Sequence, residues 1–196
     1  YEIEAYTIGG LNADAAEKQF LASSSNGAVA YASAETETEP LLNINDGNTG
    51  TRWSSGPISI DGEGVPETEP YCYIDLGADK TFNEIRLLWE AALASEFTIS
   101  YAKDAGEVSP GEISGWETLG TYTDAKANEW QTYTYETPVT ARYVKVTGNK
   151  LAMIYGMSLF EFEVNNAPEP KVEAVYLSHD KDYVFEEVGD SIQLYA

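Results

Sequence analysis

The sequence predicts an all-β sandwich or barrel. Period-two segments rich in Val, Ile, Tyr, Thr and Phe recur along the chain, Gly, Asn, Asp and Pro fall between them, and only one stretch reads as helical. The 196 residues suffice for one domain of ordinary size with a remainder too short to be a second complete one. Hydrophobic residues at 43% and aromatic residues at 12%, with 14 Tyr and 4 Trp, allow a real core, which excludes wholesale disorder.

In chain order, residues 1–8 alternate as a strand and stop at the breaker Gly9-Gly10. Tyr1 is not expected to be a native start, so this strand reads as the end of something upstream in a longer protein. Residues 11–21 are the helical stretch, with Asn12 as N-cap, or else a loop leading into the first strand. Strands then follow at 28–33 (Ala-Val-Ala-Tyr-Ala-Ser), 71–76 (Tyr-Cys-Tyr-Ile-Asp-Leu), 84–89 (Glu-Ile-Arg-Leu-Leu-Trp) and 96–101 (Glu-Phe-Thr-Ile-Ser-Tyr). Four more lie at 117–122, 131–135, 143–148 and 159–165. Alternating prolines in Ala167-Pro168-Glu169-Pro170 fix φ and prevent strand pairing, which makes this a stiff linker. Beyond it, 172–177 and 182–196 are strand-like around the turn Val188-Gly189-Asp190, the opening strands of an immunoglobulin-like domain. The expected organisation is therefore 1–19 as an N-terminal extension, 20–166 as the central domain, 167–170 as linker and 171–196 as a partial Ig-like domain. In the alternative, both ends pack on the central sandwich.

Eleven basic against 33 acidic side chains give a net charge of −22, which repels phosphate backbones and anionic membrane surfaces and argues against nucleic acid as a partner. No stretch approaches the roughly 18 continuous apolar residues of a membrane span, so no membrane insertion is expected. A single cysteine, Cys72, and a single histidine, His179, exclude a disulfide, a thiolate zinc site and Cys/His or Ser/His/Asp catalysis. Cys72 reads as a packing thiol in its strand, and His179 sits in a turn without metal-ligand spacing.

One segment is rich in oxygen ligands: Asn43-Ile44-Asn45-Asp46-Gly47-Asn48-Thr49-Gly50-Thr51-Arg52-Trp53-Ser54-Ser55. Calcium takes six to eight such oxygens, and glycines let backbone carbonyls turn inward. The spacing is not that of an EF-hand, and a plain Asx turn accounts for the same residues.

Asp46-Gly47-Asn48 through Thr51-Arg52-Trp53-Ser54-Ser55, then Ile74-Asp75-Leu76-Gly77, Leu88-Trp89-Glu90-Ala91-Ala92, Arg142-Tyr143-Val144-Lys145-Val146 and Tyr155-Gly156-Met157-Ser158 to Val164 follow one another as in a discoidin, or coagulation factor 5/8 type C, domain. The chain resembles most closely the bacterial carbohydrate-binding modules of family 32. The resemblance implies an antiparallel, galactose-binding-domain-like jelly-roll sandwich whose loops at one end bind a glycan. It also implies one structural calcium, held by the Asp46 and Glu161 carboxylates, the Asn48 carbonyl, the Thr51 hydroxyl and carbonyl, and a carbonyl from Asn43. Glu161 and Glu163 share a strand face, so the pattern alone leaves open which of them reaches the ion, with Glu161 favoured. Modules carried by chitosanase-like enzymes seat a terminal sugar on residues that correspond here to Glu35, Arg52, Glu90 and Tyr155.

Each of these positions also has a structural reading. Arg52 can pair with Glu90 as a bridge, Glu35 lies in an acidic run typical of a solvated edge, and Tyr155 fits core or contact equally. Trp53 and Trp89 are expected to fill the interior, Leu151, Met153 and Ile154 to form an apolar rim, and the insert 56–70 to reshape the pocket. The function implied is a noncatalytic, monomeric module that anchors a secreted or cell-surface bacterial protein to its polysaccharide. A protein-interaction or adhesion module is the alternative. A glycosidase working through Glu35 and Glu90 ranks below both, and phosphatidylserine binding is disfavoured by the acidity.

Overall fold

A computed structural model describes residues 18–167, except 105, 107, 108, 110 and 111, and the backbone of 3–5 and 175–177. The alternating runs form strands β1 (Ile3–Ala5), β2 (Gln19–Phe20), β3 (Val29–Ala32), β4 (Trp53–Ser54), β5 (Tyr71–Trp89), β6 (Ala94–Ala102), β7 (Glu117–Tyr122), β8 (Trp130–Leu151), β9 (Ser158–Asn166) and β10 (Val175–Leu177). By compactness the chain divides into two units, 17–167 and the two ends 1–16 and 168–196 taken together. In the terminal unit β1 and β10 pair antiparallel. The rest of the expected linker and Ig-like strands, His179 and residues 11–17 of the helical stretch lie outside the described residues. Residues 19 and 20 of that stretch are strand, not helix, because they pair with Asn166 and Asn165 at the sheet edge.

The central unit is one antiparallel sheet in the order β2-β9-β5-β8-β6-β7, with β3 on β5 and β4 on β9, wrapped into a jelly-roll sandwich. Two long strands do the wrapping. Residues 71–75 of β5 lie between β3 and the second half of β8, whereas 84–89 lie between β9 and the first half of β8. The sequence reading splits each of these strands in two, because residues 77–83 and 136–142 are largely polar. They nevertheless keep pairing, Lys80 with Ala141, Thr81 with Thr140 and Phe82 with Val139, while register shifts between Asp75 and Lys80 and between Phe82 and Glu84 bend the sheet.

Inward-facing residues of both halves meet in one core, in which Trp53, Trp89, Phe82, Phe97, Phe162 and Met157 are fully buried. Each such side chain contributes about 1.5–3 kcal/mol by leaving water. Cys72 belongs to this core as a free thiol, and burial pushes its pKa above the ordinary thiol range. The core fixes β4 beneath β9: Ser158 Oγ donates to the Trp53 carbonyl at 2.6 Å, and Trp53 Nε1 donates to the Ala34 carbonyl at 3.0 Å. Residues on either side of Trp53 are thereby held at one end of the sandwich.

Candidate functional site

With Trp53 anchored inward, Arg52 turns to the surface with its side chain 39% exposed. Its Nη2 lies 3.4 Å from Glu39 Oε1, and its Nε is buried without a hydrogen-bond partner among the described residues. Glu39 is held in turn by hydroxyls: Thr36 and Thr38 donate to its Oε2 at 2.7 and 2.5 Å. Those donors, Thr38 first, outweigh desolvation and, with the Arg52 charge, hold the Glu39 carboxyl below its ordinary range. Glu90, at the end of β5, accepts the Ala92 N–H on Oε2 at 2.8 Å, and its own N–H donates to the Ser158 carbonyl. Tyr155 stands 63% exposed. These residues, with Thr36, Gly56, Pro57 and Met153, line an open cleft of about 440 Å³, a size within the range of small-ligand sites.

The floor of the cleft depends on one glycine. Gly156 has φ +88°, and a Cβ there would lie 2.0 Å from the Gly56 carbonyl oxygen and 2.4 Å from Ser55 Oγ. Only a residue without a side chain lets these two segments approach so closely. Ser55 Oγ uses the proximity to accept the Met157 N–H at 2.9 Å.

Of the expected sugar-binding set, the structure brings Arg52, Glu90 and Tyr155 together. Glu35 is not among the residues lining the cleft; its carboxylate accepts the Leu41 N–H at 2.6 Å, so it closes the chain ahead of a short 3-10 helix (Leu41–Asn45). Glu39 and Thr36 stand at the cleft instead, and sequence reasoning missed both. The available signal was the whole run Glu35-Thr36-Glu37-Thr38-Glu39, in which only the fold selects the member that reaches Arg52. The bridge from Arg52 runs to Glu39 rather than Glu90. The expected apolar rim is also smaller: Met153 and Ile154 remain accessible, but Leu151 is buried, because it ends β8 and joins the core.

A second cluster lies behind the first. The 3-10 helix buries Ile44 and Asn45, and Asn45 Nδ2 donates to the Ala22 carbonyl at 2.8 Å, which fixes the start of the Asp46 loop. Asn43 Nδ2 donates to the Arg52 carbonyl at 2.8 Å and closes the other end. Between them the Asn48 N–H donates to Asp46 Oδ1 at 2.7 Å, and the Thr51 hydroxyl lies 2.9 Å from Asp46 Oδ2 and 2.8 Å from the Asn48 carbonyl.

Opposite this loop, on β9, Glu161 is 3% exposed, and its Oε1 has no partner among the described residues. Burial, then a hydrogen bond and charge repulsion from Asp46, then the Glu163 charge, push its carboxyl up to about 8 against the opposing Gly47 N–H. Glu163, two residues on, is committed to Arg86 at 3.0 Å. Among the described residues no three of His, Cys, Asp and Glu gather, so a cation here would be met by two carboxylates and by neutral oxygens. A cavity of about 300 Å³ opens beside Glu161 and Gly47.

Comparison with known proteins places these residues in context. The family model described as a NedA-like, galactose-binding domain of the F5/8 type C group matches residues 43–146. Chitosan-binding module 1 of a chitosanase/glucanase from Paenibacillus sp. IK-5 is 34% identical, with a TM-score of 0.61 over 74% of this chain and 98% of that one. Chitosan-binding module 2 of the same enzyme, solved with chitotriose, is 28% identical, with a TM-score of 0.60 over 74% and 98%. The family 32 module of NanJ from C. perfringens, solved with galactose, is 18% identical, with a TM-score of 0.60 over 76% and 100%, a likeness of fold. No curated protein matches the chain.

Proposed function

The chain belongs to the F5/8 type C family of NedA-like, galactose-binding domains, and from that premise we propose that it is a noncatalytic glycan-binding module which anchors a secreted or cell-surface bacterial protein to its polysaccharide. Homology to chitosan-binding and family 32 modules supports glycan binding. The bacterial sources of those relatives support the origin.

The observation that carries the reading is the convergence of Arg52, Glu39, Glu90 and Tyr155, distant in sequence, on one open cleft. The chemistry suits a sugar. A guanidinium 39% exposed donates to ring hydroxyls, two carboxylates accept from hydroxyls or an amine, and an exposed tyrosine ring covers C–H groups. Relatives that are chitosan-binding modules make an amino sugar the first candidate and galactose the second.

A single site of this kind binds with about 10 μM to 1 mM affinity, because sugars exchange water hydrogen bonds for protein ones at little net gain. Anchoring then acts by raising the local concentration of whatever the module carries. Titration with glucosamine and galactose tests the reading, with Arg52→Ala and Glu90→Ala expected to weaken binding at least about tenfold. Absence of binding across a glycan array would leave the adhesion-module alternative.

We further propose that the Asp46 loop and Glu161 hold a structural calcium, with Asn48, Thr51 and Asn43 supplying neutral oxygens. The unpartnered, buried Glu161 oxygen fits a cation and is costly without one. When bound, the ion supplies charge neutralisation between an early loop and a late strand. Its effect is then one of stability and loop order at the cleft.

A further inference from the structure

The insert 56–70, which no part of the single-sugar reading uses, is built onto the cleft. Asp61 Oδ1 accepts the Glu63 and Val65 N–H groups at 2.9 Å each, and Ile60 bridges Pro66, which closes the segment into a tight hairpin. The hairpin is then bonded to the turn that carries Met153 and Tyr155. Ile58 N–H donates to the Ile154 carbonyl at 3.0 Å, and Leu151 N–H to the Gly64 carbonyl at 2.8 Å. Gly64, at φ +82°, lies so close that a Cβ would stand 2.8 Å from the Leu151 carbonyl oxygen.

Along this seam apolar groups face solvent beside the charged end of the cleft. Pro57 is exposed, Ile154 is 57% exposed, and Pro57, Met153 and Tyr155 all border the same cleft. Scattered surface hydrophobics need no explanation, but a contiguous set flanking a polar cleft marks a ligand groove. Sugar rings have the matching chemistry, with hydroxyls at their edges and C–H groups on their faces. The backbone bonds along the seam hold this shelf before any ligand arrives, which lowers the ordering cost of binding.

We propose that Pro57, Met153 and Ile154 form a second saccharide subsite, continuous with Tyr155, which takes the ring next to the one held by Arg52, Glu39 and Glu90. The module would then recognise two linked rings rather than a lone terminal sugar. This rests on the glycan-binding reading above.

The intact chain is titrated with glucosamine and its β-1,4-linked disaccharide, and with galactose and lactose. In whichever series binds, the disaccharide should bind about tenfold tighter than the monosaccharide. Ile154→Ser, a change outside the lining of the cleft, should keep the monosaccharide affinity and the melting temperature but cut that advantage to about threefold or less. Equal affinity for monosaccharide and disaccharide in the wild type overturns the subsite and leaves the glycan reading intact. An advantage unchanged in the Ile154→Ser variant does the same. Absence of binding in both series overturns the glycan reading and the subsite with it.

Discussion

Two acidic clusters share one end of this sandwich, and the same residue type behaves in opposite ways in them. In the cleft, the Glu39 carboxyl sits below its ordinary range because two threonine hydroxyls, Thr38 first, donate to it and the Arg52 charge is near. Behind the cleft, the Glu161 carboxyl is pushed up to about 8 because it is buried against Asp46 with one oxygen unpartnered. The first arrangement is satisfied yet open, suited to a ligand that brings its own donors. The second lacks positive charge, which a cation would supply. Donor supply and burial, not the residue name, separate the two carboxylates.

The largest test attacks the backbone contact beneath the cleft. Gly156→Ala puts a Cβ into the Gly56 carbonyl at a backbone angle that side chains rarely adopt, and should cost about 3 kcal/mol or more. At about 2–4 °C per kcal/mol for a chain of this size, the melting temperature should fall by at least about 6 °C, with glycan binding lost as well. An unchanged melting curve would show that the two segments part without cost. Next in size is calcium. At a hundred times its dissociation constant the ion should add about 2.7 kcal/mol of stability, seen as a rise in melting temperature that chelator reverses and Glu161→Ala abolishes. Chelator without effect on the wild type would remove the ion from the account.

Arg52→Ala should weaken glycan binding about thirtyfold, or about 2 kcal/mol, because it takes a charged donor from Glu39 and the ligand together. Its calcium response should be that of the wild type, which keeps the clusters separate. The pH dependence of the metal-free chain is a smaller effect. The Glu161 carboxyl is raised above its ordinary 4.5, so the stability tied to its protonated form is full below about pH 4.5 and lost as pH rises through about 8. Melting temperature without calcium should therefore fall by a few degrees across that window, and Glu161→Gln should flatten the slope.

The core of the fold was legible because 71–76, 84–89, 143–148 and 159–165 are runs rich in Val, Ile, Leu, Tyr and Phe with period-two character, and all are strand. The continuity of β5 and β8 was hidden, since the residues that keep them paired there, such as Lys80, Thr81 and Thr140, are polar and carry no apolar signature. Strands β2 and β4 are too short for any period to show. At the site, Arg52, Glu90 and Tyr155 were legible through the family resemblance, whose motifs hold them next to Trp53, Trp89 and Gly156. Glu39 has no such neighbour in sequence. Its position depends on Thr36 and Thr38 hydroxyls and on the turn before Pro40, contacts that appear only once the chain has folded back on β4.

That difference yields the smallest prediction and the most discriminating one. Glu35 and Glu39 are four residues apart with the same chemistry, yet Glu39 faces Arg52 at 3.4 Å, whereas Glu35 accepts the Leu41 N–H. Glu39→Gln keeps the shape and the threonine contacts and removes the charge, so glycan affinity should fall about fivefold, roughly 1 kcal/mol, with little change in melting temperature. Glu35→Gln leaves an acceptor for the Leu41 N–H and should change affinity less than about twofold. The reverse order in a titration of the two variants would mean that the 35–39 segment shifts by a turn on binding and that Glu35, not Glu39, faces the sugar. Comparable losses in both would mean that the run acts only through its summed charge, an effect that 0.5 M salt, with a screening length of about 4 Å, should erase.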